Sequence, residues 1–238
     1  MGSFPRIVVL TGAGISAESG IQTFRAADGL WENHRVEDVA TPEGFAANPE
    51  LVQGFYNRRR QQLLSSAVNA NAAHFALAEF ENKFSGEILL ITQNIDDLHE
   101  RAGFQNLIHM HGELLKMRCG YTDIVYPIVS DIGPDARCEC CGLRGSLRPQ
   151  VVWFGEMPLQ MDEIYSALEV CDLFITVGTS GNVYPAAGFV QMANQVGAHT
   201  IEVNLEPTTQ QSLFREKRYG LASVELPKFL NELLAATT

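Results

Sequence analysis

No apolar run in the chain approaches the ~20 residues needed to cross a bilayer, and its first residues carry no basic-then-apolar export signal. Arg6 stands where an N-myristoylation motif needs Ser or Thr. Strand-like sequence begins almost at once, so a longer natural N-terminus is expected. Positive charge is scarce: 17 Lys and Arg against 28 Asp and Glu leave a net charge of −11. That balance excludes a broad surface for nucleic acid or for an anionic membrane. Cysteine is also sparse, and three of the five crowd into residues 138–141. Such clustering argues against a disulfide framework and for a metal site in a reducing, cytoplasmic setting. At 238 residues and 46% hydrophobic content, one full-sized domain with small insertions can bury a substantial core.

A further absence concerns order. The run Ile7-Val8-Val9-Leu10-Thr11 reads as a buried parallel strand, and it breaks into Gly12-Ala13-Gly14-Ile15-Ser16-Ala17 where a helix should begin. Gly12 and Gly14 allow a tight turn and close approach to a pyrophosphate. Ala17 in the third position lets the new helix pack on its strand, and the helix start offers N–H groups to an anion. This is a dinucleotide cradle. A nicotinamide dehydrogenase would follow it with a second buried strand ending in an acidic ribose ligand. Here Gln22-Thr23-Phe24-Arg25-Ala26-Ala27-Asp28-Gly29-Leu30-Trp31 follows instead, a loop whose aromatic residues and cation are placed to fold over a ligand.

From Asn33 to Phe84 the texture is helical, with loops expected at Thr41-Pro42-Glu43-Gly44 and Asn48-Pro49. Within it Tyr56 and Arg59 are spaced to share a helix face, whereas a run of three arginines (58–60) reads otherwise as a solvated face. Ile88 to Thr92 is a second buried strand, with Gln93-Asn94-Ile95-Asp96 at its carboxyl end, where open α/β sheets collect ligands. Asn94 or Asp96 could equally cap the next helix. His109 and His111 lie two apart on an extended segment; His74 and His99 read as structural. A third strand, Asp172 to Val177, ends in Gly178-Thr179-Ser180, small and hydroxyl residues suited to phosphate or ribose. A crossover helix is expected over 183–196. A fourth strand ends in Asn204-Leu205-Glu206, whose polar pair can bind adenosine ribose hydroxyls. Between residues 116 and 149 short strands and turns surround Cys119, Cys138 and Cys141. The second zinc knuckle is intact, but Thr122 occupies the missing position of the first, leaving Cys140 or water as fourth ligand of a structural zinc.

Gly12-Ala13-Gly14-Ile15-Ser16 with Phe24-Arg25, then Thr92-Gln93-Asn94-Ile95-Asp96, then His111-Gly112-Glu113, resemble the sirtuins, NAD-dependent protein lysine deacylases. The likeness covers nearly the whole chain and is strongest to the bacterial CobB type, within the class that removes acidic acyl groups. It implies an α/β fold: a Rossmann-like parallel sheet formed by residues 1–33, 86–115 and 150–238, a helical insertion over 34–85, and a zinc-binding module over 116–149. NAD is then a co-substrate held by Gly12, Ala13, Gly14, Ser16, Phe24, Arg25, Trp31, Gln93, Asn94, Ile95, Asp96, Gly178, Thr179, Ser180, Asn204, Leu205, Glu206 and Ala222. Phe24 would shield the reactive ribose, with Arg25 near the phosphates. Asn94 and Asp96 would hold the nicotinamide carboxamide and ribose surroundings. His111 would be the catalytic base, an assignment its unperturbed pKa of ~6.5 suits. Tyr56 and Arg59 would grip the carboxylate of succinyl- or malonyl-lysine, in a pocket widened by Ala40. Phe154-Gly155-Glu156 would pair edge to edge with the acylated peptide.

The implied reaction transfers the acyl group from lysine to ADP-ribose, releasing nicotinamide and O-acyl-ADP-ribose. Three other readings compete: hydride transfer, which would leave the nicotinamide reusable; a sensor that binds ADP-ribose without turnover, against which His111 and Asp96 speak; and mono-ADP-ribosylation of proteins.

Overall fold

The computed structural model describes residues 4–22, 30–31 and 34–237. β1 (Arg6–Thr11) runs into a short 3-10 helix, Ala13–Ser19. A small hairpin of β2 (Leu30–Trp31) and β3 (His34–Arg35) precedes four helices: α1 (Val36–Val39), α2 (Pro42–Ala47), α3 (Pro49–Leu63) and α4 (Ala72–Lys83). β4 (Glu87–Thr92), α5 (Leu98–Ala102) and β5 (Leu107–His109) follow. β6 (Gly112–Cys119), β7 (Val125–Pro127) and β8 (Leu147–Val151) form a separate antiparallel sheet in the order β7-β6-β8. The chain closes with α6 (Met161–Val170), β9 (Leu173–Val177), α7 (Phe189–Gln195), β10 (His199–Asn204), β11 (Glu216–Tyr219) and α8 (Ala222–Thr237).

The main sheet has six strands in the order β11-β10-β9-β1-β4-β5, and every pairing in it is parallel. Strand alternation divides β1 between two cores. Ile7 and Val9 face α4 and α8 through Leu77, Phe80, Phe229 and Leu233, whereas Val8 and Leu10 face α6 and α7 through Ile164, Leu168 and Phe189. Burying each such side chain contributes roughly 1.5–3 kcal/mol, which is why β1, β4 and β9 read as nearly unbroken apolar runs.

Register places the site. Thr11 lies beside Thr92 on one side and Val177 on the other, and Val177 lies beside Val203. The first residues past three strands, Gly12, Gln93 and Gly178, therefore stand level with Asn204 along one edge. The chain leaves β1 toward β4 and later returns to its other side as β9, so this edge opens at a topological switch point.

Local chemistry departs from expectation in three places. Thr41-Pro42 and Asn48-Pro49 are helix starts rather than loops: Thr41 Oγ1 accepts from the Gly44 N–H and Asn48 Oδ1 from the Leu51 N–H, each at 3.0 Å. Proline at the first helical position, where no N–H is needed, completes both caps. The helix expected over 183–196 is regular only in its second half. Pro185 keeps the preceding residues out of helical geometry, and Asn182, Val183 and Tyr184 line a cavity instead. The loop before Trp31 ends in the two-residue strands of a hairpin. Among the described residues no helix is long and apolar enough to cross a membrane.

Candidate active site

A cavity of about 960 Å³ opens along the carboxyl edge of the sheet and continues beneath α3 and the 152–158 segment. Its lining includes Gly12, Ala13, Gly14, Trp31, Ala40, Tyr56, Arg59, Gln93, Asn94, Ile95, Asp96, His111, Phe154, Gly155, Glu156, Gly178, Thr179, Ser180, Asn204, Leu205, Glu206 and Ala222. Phe24 and Arg25 lie outside the described residues. Ser16 is fully buried and does not reach the lining. It stands behind the wall, where its hydroxyl donates to Asp96 Oδ2 at 3.0 Å and accepts from Asn94 Nδ2 at 3.2 Å.

The glycines answer a steric demand that strand spacing alone did not reveal. Gly12 and Gly14 donate their N–H groups to the carbonyls of Val177 and Gly178, so these two donors are spent on the neighbouring loop instead of facing an anion. A Cβ on Gly14 would stand 2.7 Å from Gly178 Cα. Gly178 in turn has φ +61°, the left-handed region. The cradle is two backbones in mutual contact.

Polar groups then converge from β4. Asn94 Nδ2 also donates to the Gly12 carbonyl at 3.2 Å, and Gln93 Nε2 donates to Thr179 Oγ1 at 3.0 Å. Asp96 Oδ1 accepts from the Leu98 N–H, so this side chain both caps the α5 turn and faces the cavity. Burial pushes the Asp96 carboxyl up to about 6. Behind it, His109 Nδ1 donates to the Asn94 carbonyl at 3.2 Å and Nε2 lies 2.7 Å from Glu100 Oε1. Burial alone would lower the His109 pKa, but the Glu100 carboxylate outweighs it and the net shift is upward.

His111 sits in the turn between β5 and β6, half-buried, with Nδ1 3.1 Å from the Gln93 carbonyl. A carbonyl only accepts, so Nδ1 carries the proton and Nε2 is left with its lone pair. Burial lowers the His111 pKa, keeping the ring neutral and basic near pH 7. By contrast His74 and His99 are walled into the core. His99 Nε2 meets Thr11 Oγ1 at 3.0 Å, His74 packs edge-on against His99, and burial depresses both, His74 to about 4.

On α3, Tyr56 and Arg59 share the cavity-facing side as their spacing requires. The Arg59 guanidinium lies 4.5 Å from the centre of the Phe55 ring. Arg60 breaks the reading of a solvated arginine run: it is 1% exposed and donates to the carbonyls of Leu114 and Ser130 and to Asn57 Oδ1. Trp31 packs edge-on against Phe55 and Tyr56. The Glu156 carboxylate is committed inside the protein, to Arg118, Arg148 and the Trp153 N–H. Asn204 donates to the Thr179 carbonyl and accepts from the Leu205 N–H. Residues that sequence reasoning missed include Gln62, Thr208 and Thr209. Gln62 was within reach, one further step of three along the face that carries Tyr56 and Arg59.

Outside the lining of this cavity, Cys119, Cys138, Cys140 and Cys141 bring four sulfurs within 4.8 Å of one another. Cys119 and Cys141 Sγ are 3.7 Å apart, close to the ~3.8 Å edge of a tetrahedron with Zn–S bonds of about 2.3 Å. Cys140 is the fourth member of the set, and the Thr122 hydroxyl lies 3.0 Å from its sulfur. Cys138 and Cys140 Sγ stand closer, at 3.1 Å, and four cysteine sulfurs are the donor set that structural zinc takes. Cys171 stands apart as a buried thiol, pushed up to about 11 by burial.

The model of the Sir2 family matches residues 12–185. An NAD-dependent protein deacylase of Vibrio parahaemolyticus is 62% identical over 238 residues, covering 99% of each chain. Among solved structures, a Sir2 homologue in complex with NAD superposes with a TM-score of 0.89 at 39% identity, covering 99% of this chain and 91% of that one. A Sir2 protein bound to an acetylated peptide does so with a TM-score of 0.80 at 29% identity, covering 98% and 94%. Agreement of the motifs, the six-stranded sheet and these relatives leads to one identification: the chain belongs to the Sir2 family, the sirtuins.

Proposed function

We propose that this protein is an NAD-dependent protein lysine deacylase that accepts acetyl and acidic acyl groups, succinyl and malonyl among them. The observation that carries the reading is one continuous cavity whose wall joins the Gly12–Gly14 and Gly178–Ser180 cradle to His111 and to a pocket formed by Ala40, Tyr56 and Arg59. The 62% identity to a named deacylase supports it. NAD, when bound, supplies a labile glycosidic bond to a positively charged nicotinamide, whose departure drives an otherwise slow amide cleavage. His111 Nε2, unprotonated, takes the proton of a ribose hydroxyl so that the oxygen can attack the activated acyl carbon. Asn94 and Asp96, braced by Ser16, orient the nicotinamide end. Arg59 offers a planar fork, and Tyr56 a phenolic donor, to a carboxylate at the end of the acyl chain. Zinc, held by Cys119, Cys138, Cys140 and Cys141, would staple the β6–β8 sheet and take no part in the reaction.

The test is a mass-spectrometric assay with NAD and matched acetyl- and succinyl-lysine peptides. Wild type should yield free nicotinamide, free lysine and O-acyl-ADP-ribose, and His111→Tyr should lose them. Arg59→Met should depress desuccinylation much more than deacetylation. Intact NAD in the wild-type reaction would end the proposal, and equal losses in the Arg59 variant would end the acidic-acyl part of it.

A further inference from the structure

The phenol of Tyr56 has a fixed hydrogen-bond polarity, and Trp153 fixes it. The indole Nε1–H of Trp153 donates to Tyr56 Oη at 2.9 Å. An indole has no acceptor, so in this pair the hydroxyl must accept. Its own proton then remains to be given, and among the described residues no protein acceptor takes it. Tyr56 is fully buried yet contributes to the cavity wall, and an occupant of the acyl pocket is the acceptor left for that proton. Burial raises the phenol well above its ordinary pKa, keeping the proton on.

Trp153 is itself immobilised. It is 2% exposed, Phe45 packs on it with ring centres 5.2 Å apart, and the Arg148 guanidinium covers its face at 3.3 Å. Arg148 is held by both oxygens of Glu156, one of which also accepts the Trp153 N–H at 2.8 Å. Glu156, which family likeness puts in the peptide groove, thus serves here as the anchor of an indole clamp.

We infer that Trp153 is a specificity-determining positioning residue: by donating to Tyr56 it turns the phenol into an obligate donor toward a carboxylate-ended acyl chain. Trp153 also forms part of the cavity wall, but the effect inferred here passes through Tyr56. An acetyl group ends in a methyl and offers nothing to that proton, so the effect is selective. The inference rests on the acidic-acyl reading above.

The sharpest test replaces Trp153 with 3-benzothienylalanine, which keeps the shape and removes only the N–H. The readout is the ratio of kcat/KM for succinyl- over acetyl-lysine peptide, measured beside Tyr56→Phe and the combined variant. Loss of one orienting hydrogen bond should lower the ratio about three- to tenfold, and the combined variant should fall no further than Tyr56→Phe alone. A thermal melt of each variant confirms the fold. If Tyr56→Phe lowers the ratio and the benzothienyl protein does not, the role of Trp153 is refuted while the acidic-acyl pocket stands. If Tyr56→Phe leaves the ratio at the wild-type value, the pocket reading itself fails and this inference with it.

Discussion

Replacing Asp96 with Asn should stabilise the protein at neutral and alkaline pH while impairing it as an enzyme. The carboxyl is 6% exposed, and burial raises its pKa from 3.8 to about 6 despite hydrogen bonds from Ser16 and the Leu98 N–H. The sign follows from linkage. Below pH ~4 the group is protonated in both folded and unfolded chains and costs nothing. Between about 4 and 6 the unfolded chain releases the proton and the folded one retains it, so stability falls as pH rises. Above about 6 both are ionised and the full penalty persists: roughly two units at ~1.4 kcal/mol each, or about 3 kcal/mol as an upper bound. Asn keeps an acceptor for the Leu98 N–H and carries no charge. At pH 8 the variant should therefore melt higher, by roughly 6–12 °C for a chain of this size, and the gain should vanish at pH 4. Circular-dichroism melts of both proteins across pH 4 to 8 measure this directly. A gain of equal size at pH 4 and pH 8, or a lower melting point at pH 8, would refute the reasoning, because neither can arise from a buried ionisation.

Three further expectations follow from particular contacts. Since burial lowers the His111 pKa, the acid limb of the kcat/KM profile, where the ring protonates and can no longer accept, should lie below pH 6.5; a limb at or above that value would contradict the environment described. Gly178→Ala would force a side chain into the left-handed region and against Gly14, costing about 2 kcal/mol or more and weakening NAD binding, which denaturant melts and calorimetry would reveal and a wild-type midpoint would disprove. Cys140→Ser should lower the zinc content found by atomic absorption, while Cys171→Ser should retain it; equal zinc in both variants would remove Cys140 from the ligand set.

Strand identity was legible because burial on both faces leaves little choice but a continuous apolar run, and β1, β4 and β9 announce themselves this way, whereas β10 carries the buried Thr200 and Glu202 within it. The residues past strand ends were legible for a related reason: Gln93, Asn94 and Gly178 follow such runs within two residues, and parallel pairing brings those ends level. Ser16 was harder to place. It sits in the motif of the cradle, yet its task is to bridge Asn94 and Asp96, which lie 78 and 80 residues further along the chain, a contact made only when β1 and β4 pair. Thr41-Pro42 and Asn48-Pro49 misled because the same residues cap a helix or close a turn, and only the hydrogen bonds to Gly44 and Leu51 decide between them.

Arg59 and Arg60 show where local reasoning ends. They are identical in chemistry and adjacent on one helix, and nothing in their neighbours' composition separates them. A 100° turn of the helix sends Arg59 to the cavity and Arg60 toward the strand β6 and the 130–132 segment. There the buried Leu114 carbonyl and the Ser130 carbonyl present acceptors, and the guanidinium donates to both at the cost of its own desolvation, which lowers its pKa. Helical spacing from Tyr56 already said which arginine would share the phenol's face. That the other would be buried depended on a second sheet, contributed by residues 112–151, lying against that side of α3, and no pattern within residues 49–63 encodes it. The charge placed on the cavity wall and the charge buried between two layers are therefore set by one rotation of one helix, so a substitution at Arg60 should be felt as instability, while one at Arg59, under the function proposed above, should be felt as altered substrate choice.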